Sequence, residues 1–135
     1  MTLNERTRLG LITVNENVIA KIIIRAAEKA EGKLLLSSEK GRVLGVASRV
    51  GVGDVLGNFS IRAEEGRYIL RFSGVILFGS SIRWVSETVL DAVAEEMKSF
   101  FPQYGGEVIL HIVGIKSRQI AMRDIEVKRE YEAAR

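Results

Sequence analysis

The one histidine of this chain, His111, stands in the apolar run EVILHIVGI, so any imidazole chemistry must pass through it. A nucleophilic triad needs a hydroxyl and a carboxylate converging on such a ring, and a zinc site needs further histidines or cysteines. The chain has no second histidine and no cysteine, which removes thiolate metal centres, thiol nucleophiles and disulfides together. On an apolar central strand, His111 reads as a satisfied structural histidine. Paired carboxylates occur at Glu64–Glu65 and Glu95–Glu96. The first pair falls in a turn and the second on a helix surface, and neither pattern supplies a reason for a shifted carboxyl. A two-carboxylate glycosidase also needs a cleft that a chain of 135 residues has little length to build. Gly74 and Gly79 have phosphate-loop spacing, but serine follows where that loop requires lysine. The sequence therefore predicts a non-enzymatic protein with no catalytic residue, no metal and no cofactor.

Nucleic-acid chemistry is the next possibility. Net charge is +3 with a pI near 9.4, yet 20 basic and 17 acidic residues are interleaved along the whole chain. That balance permits a polyanion partner without demanding one. The stretch RYILRF, Arg67 to Phe72, is similar to the aromatic strand of an RNA-recognition motif. Its parity argues the other way. Tyr68, Leu70, Phe72, Ile76 and Phe78 share one face, apolar enough to be the helix-packed core, whereas base stacking requires aromatics on the open face. No two glycines stand three apart, so the GxxG of a KH domain is missing. A small basic RNA-binding module remains the second reading.

Elements must position these residues. Leu9 to Val14 reads as a first strand. Asn15 is an N-cap with Glu16 in the first helical turn, Val14 and Ile19 form a staple pair, and Gly32 is a C-terminal stop. Between them Ile19, Ile22, Ile23, Ala26 and Ala30 follow a 3.6-residue stripe. Residues 33–57 are punctuated by five glycines; Val43, Val46, Ala47 and Val50 match a helical stripe, predicting a short helix and then a loop. Asn58 to Glu64 alternates, a turn follows at Glu65–Gly66, and Arg67 to Phe78 completes a hairpin. The segment 78–97 reads as an amphipathic helix with Ile82, Val85, Val89, Ala92, Val93, Met97 and Phe100 on its buried stripe. Gly105–Gly106 then opens a central strand. The order β-α-(α)-β-β-α-β predicts an α+β two-layer sandwich, helices on one face of a mainly antiparallel, four-stranded sheet. Residues 1–8 form an N-terminal segment, 9–116 the domain, and 117–135 a C-terminal extension fitting neither period.

The opening GLITVNENVIAKIIIRAAEKAEG resembles the first strand and helix of the alkaline shock protein family, cytoplasmic envelope-stress proteins of Gram-positive bacteria. The matching positions are Gly10, Val18 with Ile19, and Glu31 with Gly32. Phe78-Gly79-Ser80-Ser81-Ile82 stands where the family steps from an aromatic–glycine pair into its long helix. HIVGI, His111 to Ile115 with Gly114, matches the end of its last strand. The turn FFPQYGGE departs from the family's threonine–glycine type. The resemblance implies structural roles for Gly10, Val18, Ile19, Gly32, Phe78, Gly79, Ile82 and Gly114. It further implies a non-enzymatic protein of envelope homeostasis, held near the cytoplasmic membrane by a membrane-anchored partner and self-assembling.

Two surfaces fit that setting. Trp84 falls off the buried stripe of its helix, beside Glu87, Thr88 and Asp91, and a rigid ring rimmed by charge is the composition of a protein–protein anchor. Trp84, Glu87 and Asp91 are therefore the expected partner-binding residues. The sheet face away from the helices carries Ile69, Val75, Leu77, Ile109 and Val113 beside Arg62, Arg71 and His111, too apolar to leave in water. Either the tail covers it through Ile120, Met122, Ile125 and Val127, or a second subunit does, making a homo-oligomer. No segment reaches the roughly 18–20 apolar residues of a membrane span, and the charged opening MTLNERTRLG lacks a secretory h-region. The expected location is cytoplasmic, peripheral to the membrane through a partner.

Overall fold

The computed structural model describes residues 2–7 and 10–134, with side chains described from Asn15 to Ala134. Strands β1 (Thr2–Thr7) and β2 (Gly10–Asn15) pair antiparallel in a sheet of their own. The first expected strand is thus present, shifted by one residue, but it does not join the main sheet. Leu9 and the Val14 side chain of the expected staple lie outside the described residues.

Helix α1 (Glu16–Glu28) starts as its sequence dictates. The Asn15 side chain accepts the Asn17 N–H at 2.8 Å, and Glu16 occupies the first turn. Ile19, Ile22, Ile23, Ala26 and Ala30 are all buried, and Val18 packs at their margin. The helix stops before Gly32. From Lys29 the amides bond three residues back, Lys29 to Ala26 and Ala30 to Ala27, each at 3.1 Å. This tightened turn ends the α-helical ladder four residues before Gly32, which takes φ +80° directly after Glu31 at φ +57°.

Residues 33–57 are not a helix and a loop. They form a hairpin, β3 (Leu34–Ser37) with β4 (Val43–Val46), followed by the single turn α2 (Val52–Val55). The helical spacing of Val43, Val46, Ala47 and Val50 is coincidental, because Gly45 at φ +140° lets β4 run extended through it. Strands β5 (Phe59–Glu64) and β6 (Arg67–Leu77) form the expected hairpin, its turn made by Glu65 and Gly66, both at positive φ.

Helix α3 (Ile82–Phe100) carries the chain from β6 to β7 (Gly106–Lys116), which lies parallel to β6. The residues after Lys116 form β8 (Ile120–Tyr131), antiparallel to β7 along its length. The sheet is six-stranded in the order β4-β3-β6-β7-β8, with β5 also on β6. β5 and β3 share one edge of β6, β5 pairing Arg67–Phe72 and β3 pairing Ser73–Ile76. The expected four strands become six because the glycine-punctuated segment and the tail both contribute.

The protein is an α+β two-layer structure, its helices packed on one face of a mainly antiparallel open sheet. The main core joins Ile19, Ile22 and Ile23 of α1 and Val85, Val89, Leu90, Val93 and Met97 of α3 to Tyr68, Leu70, Phe72, Val108, Leu110 and Ile112 of the sheet. Two residues expected in that core lie outside it: Phe100 is 48% exposed and Phe78 is 76% exposed. α3 rolls so that Leu90 and Ala94 are buried in place of Phe100, and β6 ends at Leu77, before Phe78 can enter the sheet. Ile82 is half-buried at the core margin. Among the described residues, no helix is long and apolar enough to cross a membrane.

Candidate functional site

The sheet face away from the helices is where β6 and β7 bring their polar residues together. The turn between β3 and β4 folds back over this face and delivers Glu39. Glu39 Oε1 accepts from Arg71 Nη2 at 2.8 Å, and its Oε2 accepts from the Ser73 hydroxyl at 2.6 Å. Arg71 reaches the other way to Glu126 of β8 at 2.6 Å. His111, beside Ser73 in the strand register, places Nε2 2.7 Å from Asp124 and Nδ1 3.2 Å from Glu39. The Nδ1 contact is close enough for attraction, but this buried atom makes no aligned hydrogen bond.

The Arg71 guanidinium, hydrogen-bonded to Glu39, holds that carboxyl below its ordinary value, against an opposing effect of burial; Ser73 and His111 add smaller lowering effects. Glu39 and Glu126 in turn raise Arg71. The Ser73 hydroxyl is spent on Glu39 and does not reach His111, so the geometry is a clamp and not a nucleophile–base pair. Its mechanical effect is plain. One carboxylate pins the β3–β4 turn to β6, and Arg71 and His111 tie that turn to β8. A pocket of about 440 Å³ opens beside it, lined by Ser38, Lys40, Asn58, Ser60 and Arg71. Among the described residues, no cluster of His, Asp and Glu has the arrangement to hold a metal ion.

The expected apolar face is largely covered, and the tail contributes only in part, through Ile120 and through Asp124 and Glu126 on His111 and Arg71. Val75 and Val113 are buried with Leu35 under the partly buried Val43, Val46, Leu77 and Ile120. Ile109 and His111 are also buried, leaving Ile69, Arg71 and Leu77 half-exposed. The cover comes from the β3–β4 hairpin that sequence reasoning missed. Of the tail residues named for this duty, only Ile120 joins the cluster, while Ile125 and Val127 pack on the helix side. β8 lies in the plane of the sheet because it pairs with β7, so its alternate side chains go to opposite faces.

On α3, Ser81 caps the helix by accepting the Trp84 N–H at 3.0 Å. Trp84 is 40% exposed, with the Lys33 ammonium 4.6 Å from its ring centroid. Glu87 is held by Arg83 at 3.0 Å and Asp91 by Arg129 of β8 at 2.9 Å. The three residues thus lie along one outer face, but both carboxylates already have cations. One turn beyond Trp84, Thr88 begins a groove of about 540 Å³ shared with Asp91, Ala92, Glu95, Ser99 and Lys29. The aromatic residues Tyr68 and Phe72 of β6 lie buried beneath the helices. Comparison of the chain with protein-family models, with curated proteins and with solved structures finds no match in any of the three.

Proposed function

We propose that this chain is a non-enzymatic interaction and scaffold protein of envelope homeostasis. In this reading it is cytoplasmic, self-associates, and docks on a membrane-anchored protein through the outer face of α3. The observation that carries the reading is the groove beginning one turn beyond the half-exposed Trp84, walled by Thr88, Asp91, Glu95 and Glu96. Its carboxylates Asp91, Glu95 and Glu96 are paired with Arg129, Lys98 and Arg25. A basic juxtamembrane segment, the usual composition of the cytoplasmic flank of a membrane span, would compete for them at this exposed edge. The resemblance to the alkaline shock protein family supplies the setting. Self-association would use the apolar margin left by Leu77, Ile120 and Met122 on the opposite face.

The test is retention of the purified protein on native membranes from the source cells. Trp84→Ala and Thr88→Arg should each reduce retention about tenfold or more, as loss of an anchor does, with unchanged melting temperature. Shaving the membrane proteins with protease should abolish the part of the retention that Trp84 and Thr88 carry, so that the variants and the wild type are then retained equally. Retention that survives both substitutions and protease would remove the protein-docking reading.

A further inference from the structure

Phe78 projects at the end of β6, 76% exposed. Backbone hydrogen bonds fix what surrounds it. Leu77 N–H donates to the Lys33 carbonyl at 3.0 Å, and Phe78 N–H donates to the Lys116 carbonyl at 2.7 Å. The backbones of Lys33 and Lys116 therefore lie on either side of the end of β6 from which Phe78 projects. Arg118 stands exposed in the turn from Lys116 to Ile120, and Lys33 also covers Trp84. Glu31 is engaged with Lys33 at 3.9 Å and Glu87 with Arg83 at 3.0 Å. Lys116 and Arg118 have no ion pair among the described residues. The end of the sheet is thus a protruding aromatic ring between cations.

We propose that this end of the sheet binds an anionic lipid bilayer directly, Phe78 inserting at the headgroup level while Lys33, Lys116 and Arg118 meet the lipid charges. The proposal goes beyond docking on a membrane protein, since it requires no protein in the membrane. Charge complementarity selects an anionic surface, and the shape of the patch selects lipid among anions. A single-stranded nucleic acid needs successive flat faces on which bases stack. Here one face of Trp84 is taken by Lys33, and Phe78 stands alone at a turn. An isolated apolar ring flanked by lysines is the composition of an interfacial anchor, with each cation adding to the attraction.

The experiment is co-sedimentation of the purified chain with protein-free vesicles, one set of phosphatidylcholine and one containing phosphatidylglycerol. Binding should require phosphatidylglycerol and weaken as salt rises. The pair Lys116→Glu with Arg118→Glu should weaken it by about tenfold or more. Phe78→Ser should weaken it at every salt concentration, with the melting temperature of each variant unchanged. Arg62→Glu with Lys128→Glu makes the same change in net charge on exposed residues elsewhere and should leave binding intact. Equal loss in that control overturns the proposal, as does generic single-stranded RNA binding more tightly and displacing the vesicles. Retention on native membranes without binding to vesicles overturns it too, and leaves the protein-docking reading standing.

Discussion

Glu39 receives Arg71, the Ser73 hydroxyl and the edge of His111 within 3.2 Å. Its removal leaves groups that cannot turn to water, because Ser73 is 1% exposed. Glu39→Ala should therefore destabilise the protein by about 1–3 kcal/mol, the cost of orphaning a buried hydroxyl and halving the partners of Arg71, read as a lower urea midpoint at unchanged slope. The pH dependence follows from the direction of the shift. The carboxyl is held below its ordinary value of 4.5, so its contribution is complete above that pH and is lost as pH falls through the folded-state value. The gap between wild type and variant should be constant near neutrality and close in acid. A constant gap down to acid unfolding would show that the carboxylate charge contributes nothing.

At the level of elements, β7 carries a tightly constrained position at Gly114. Val113 follows Ile109 and His111 by alternation into the small outer cluster, a bulge between Ile112 and Gly114 shifts the register beside it, and β8 crosses close over Gly114. A Cβ at Gly114 would stand 2.6 Å from Ile120 Cγ2 and 3.1 Å from the Ala121 carbonyl oxygen. Gly114→Ala should cost about 1–3 kcal/mol, as overpacking does, and a melting temperature equal to wild type would contradict the close approach. How legible each element was depends on how uniform its faces are. α1, α3 and the β5–β6 hairpin were readable because one face of each is consistently apolar and their turns carry Asn15 or Glu65–Gly66. β8 resisted because its outer face changes character midway, from Ile120 and Met122 to Asp124, Glu126 and Lys128. β3–β4 resisted because its valines mimic helical spacing. That miss hid the polar clamp, since Glu39 lies in this hairpin turn, 32 positions before Arg71 in the chain. His111 was expected to be a satisfied structural histidine; its Nε2 meets Asp124 of β8, whereas its buried Nδ1 lies against Glu39 without an aligned hydrogen bond, and neither partner was legible in the sequence. Trp84 was legible as off-stripe; Phe78 was not, because alternation cannot tell where a strand ends.

Across the whole molecule, the two ends of the sheet use the same kind of side chain in opposite ways. At one end Phe78 and Trp84 are exposed among cations. At the other, Tyr68 packs its ring 5.2 Å from Phe101 and 5.6 Å from Tyr104, and Tyr131 closes β8 over Gly106. Arg67 seals that end by donating to the Gly106 carbonyl at 3.0 Å. Burial raises the phenols of Tyr68 and Tyr131 from 10 to about 12, with Tyr104 adding to the first and Tyr68 to the second. The phenols are therefore neutral in the fold at pH values where the unfolded chain has begun to ionise. Between pH 10 and 12 the folded state holds more protons than the unfolded state, so stability must fall as pH rises, with a slope of up to about two protons. Tyr131→Phe removes one of these groups and should reduce that slope to about one proton, measured as urea midpoints across the alkaline range. Relative to wild type, the variant should gain stability between pH 8 and pH 11, because its ring no longer ionises on unfolding. An undiminished slope would mean that the closed end opens before the Tyr131 phenol titrates.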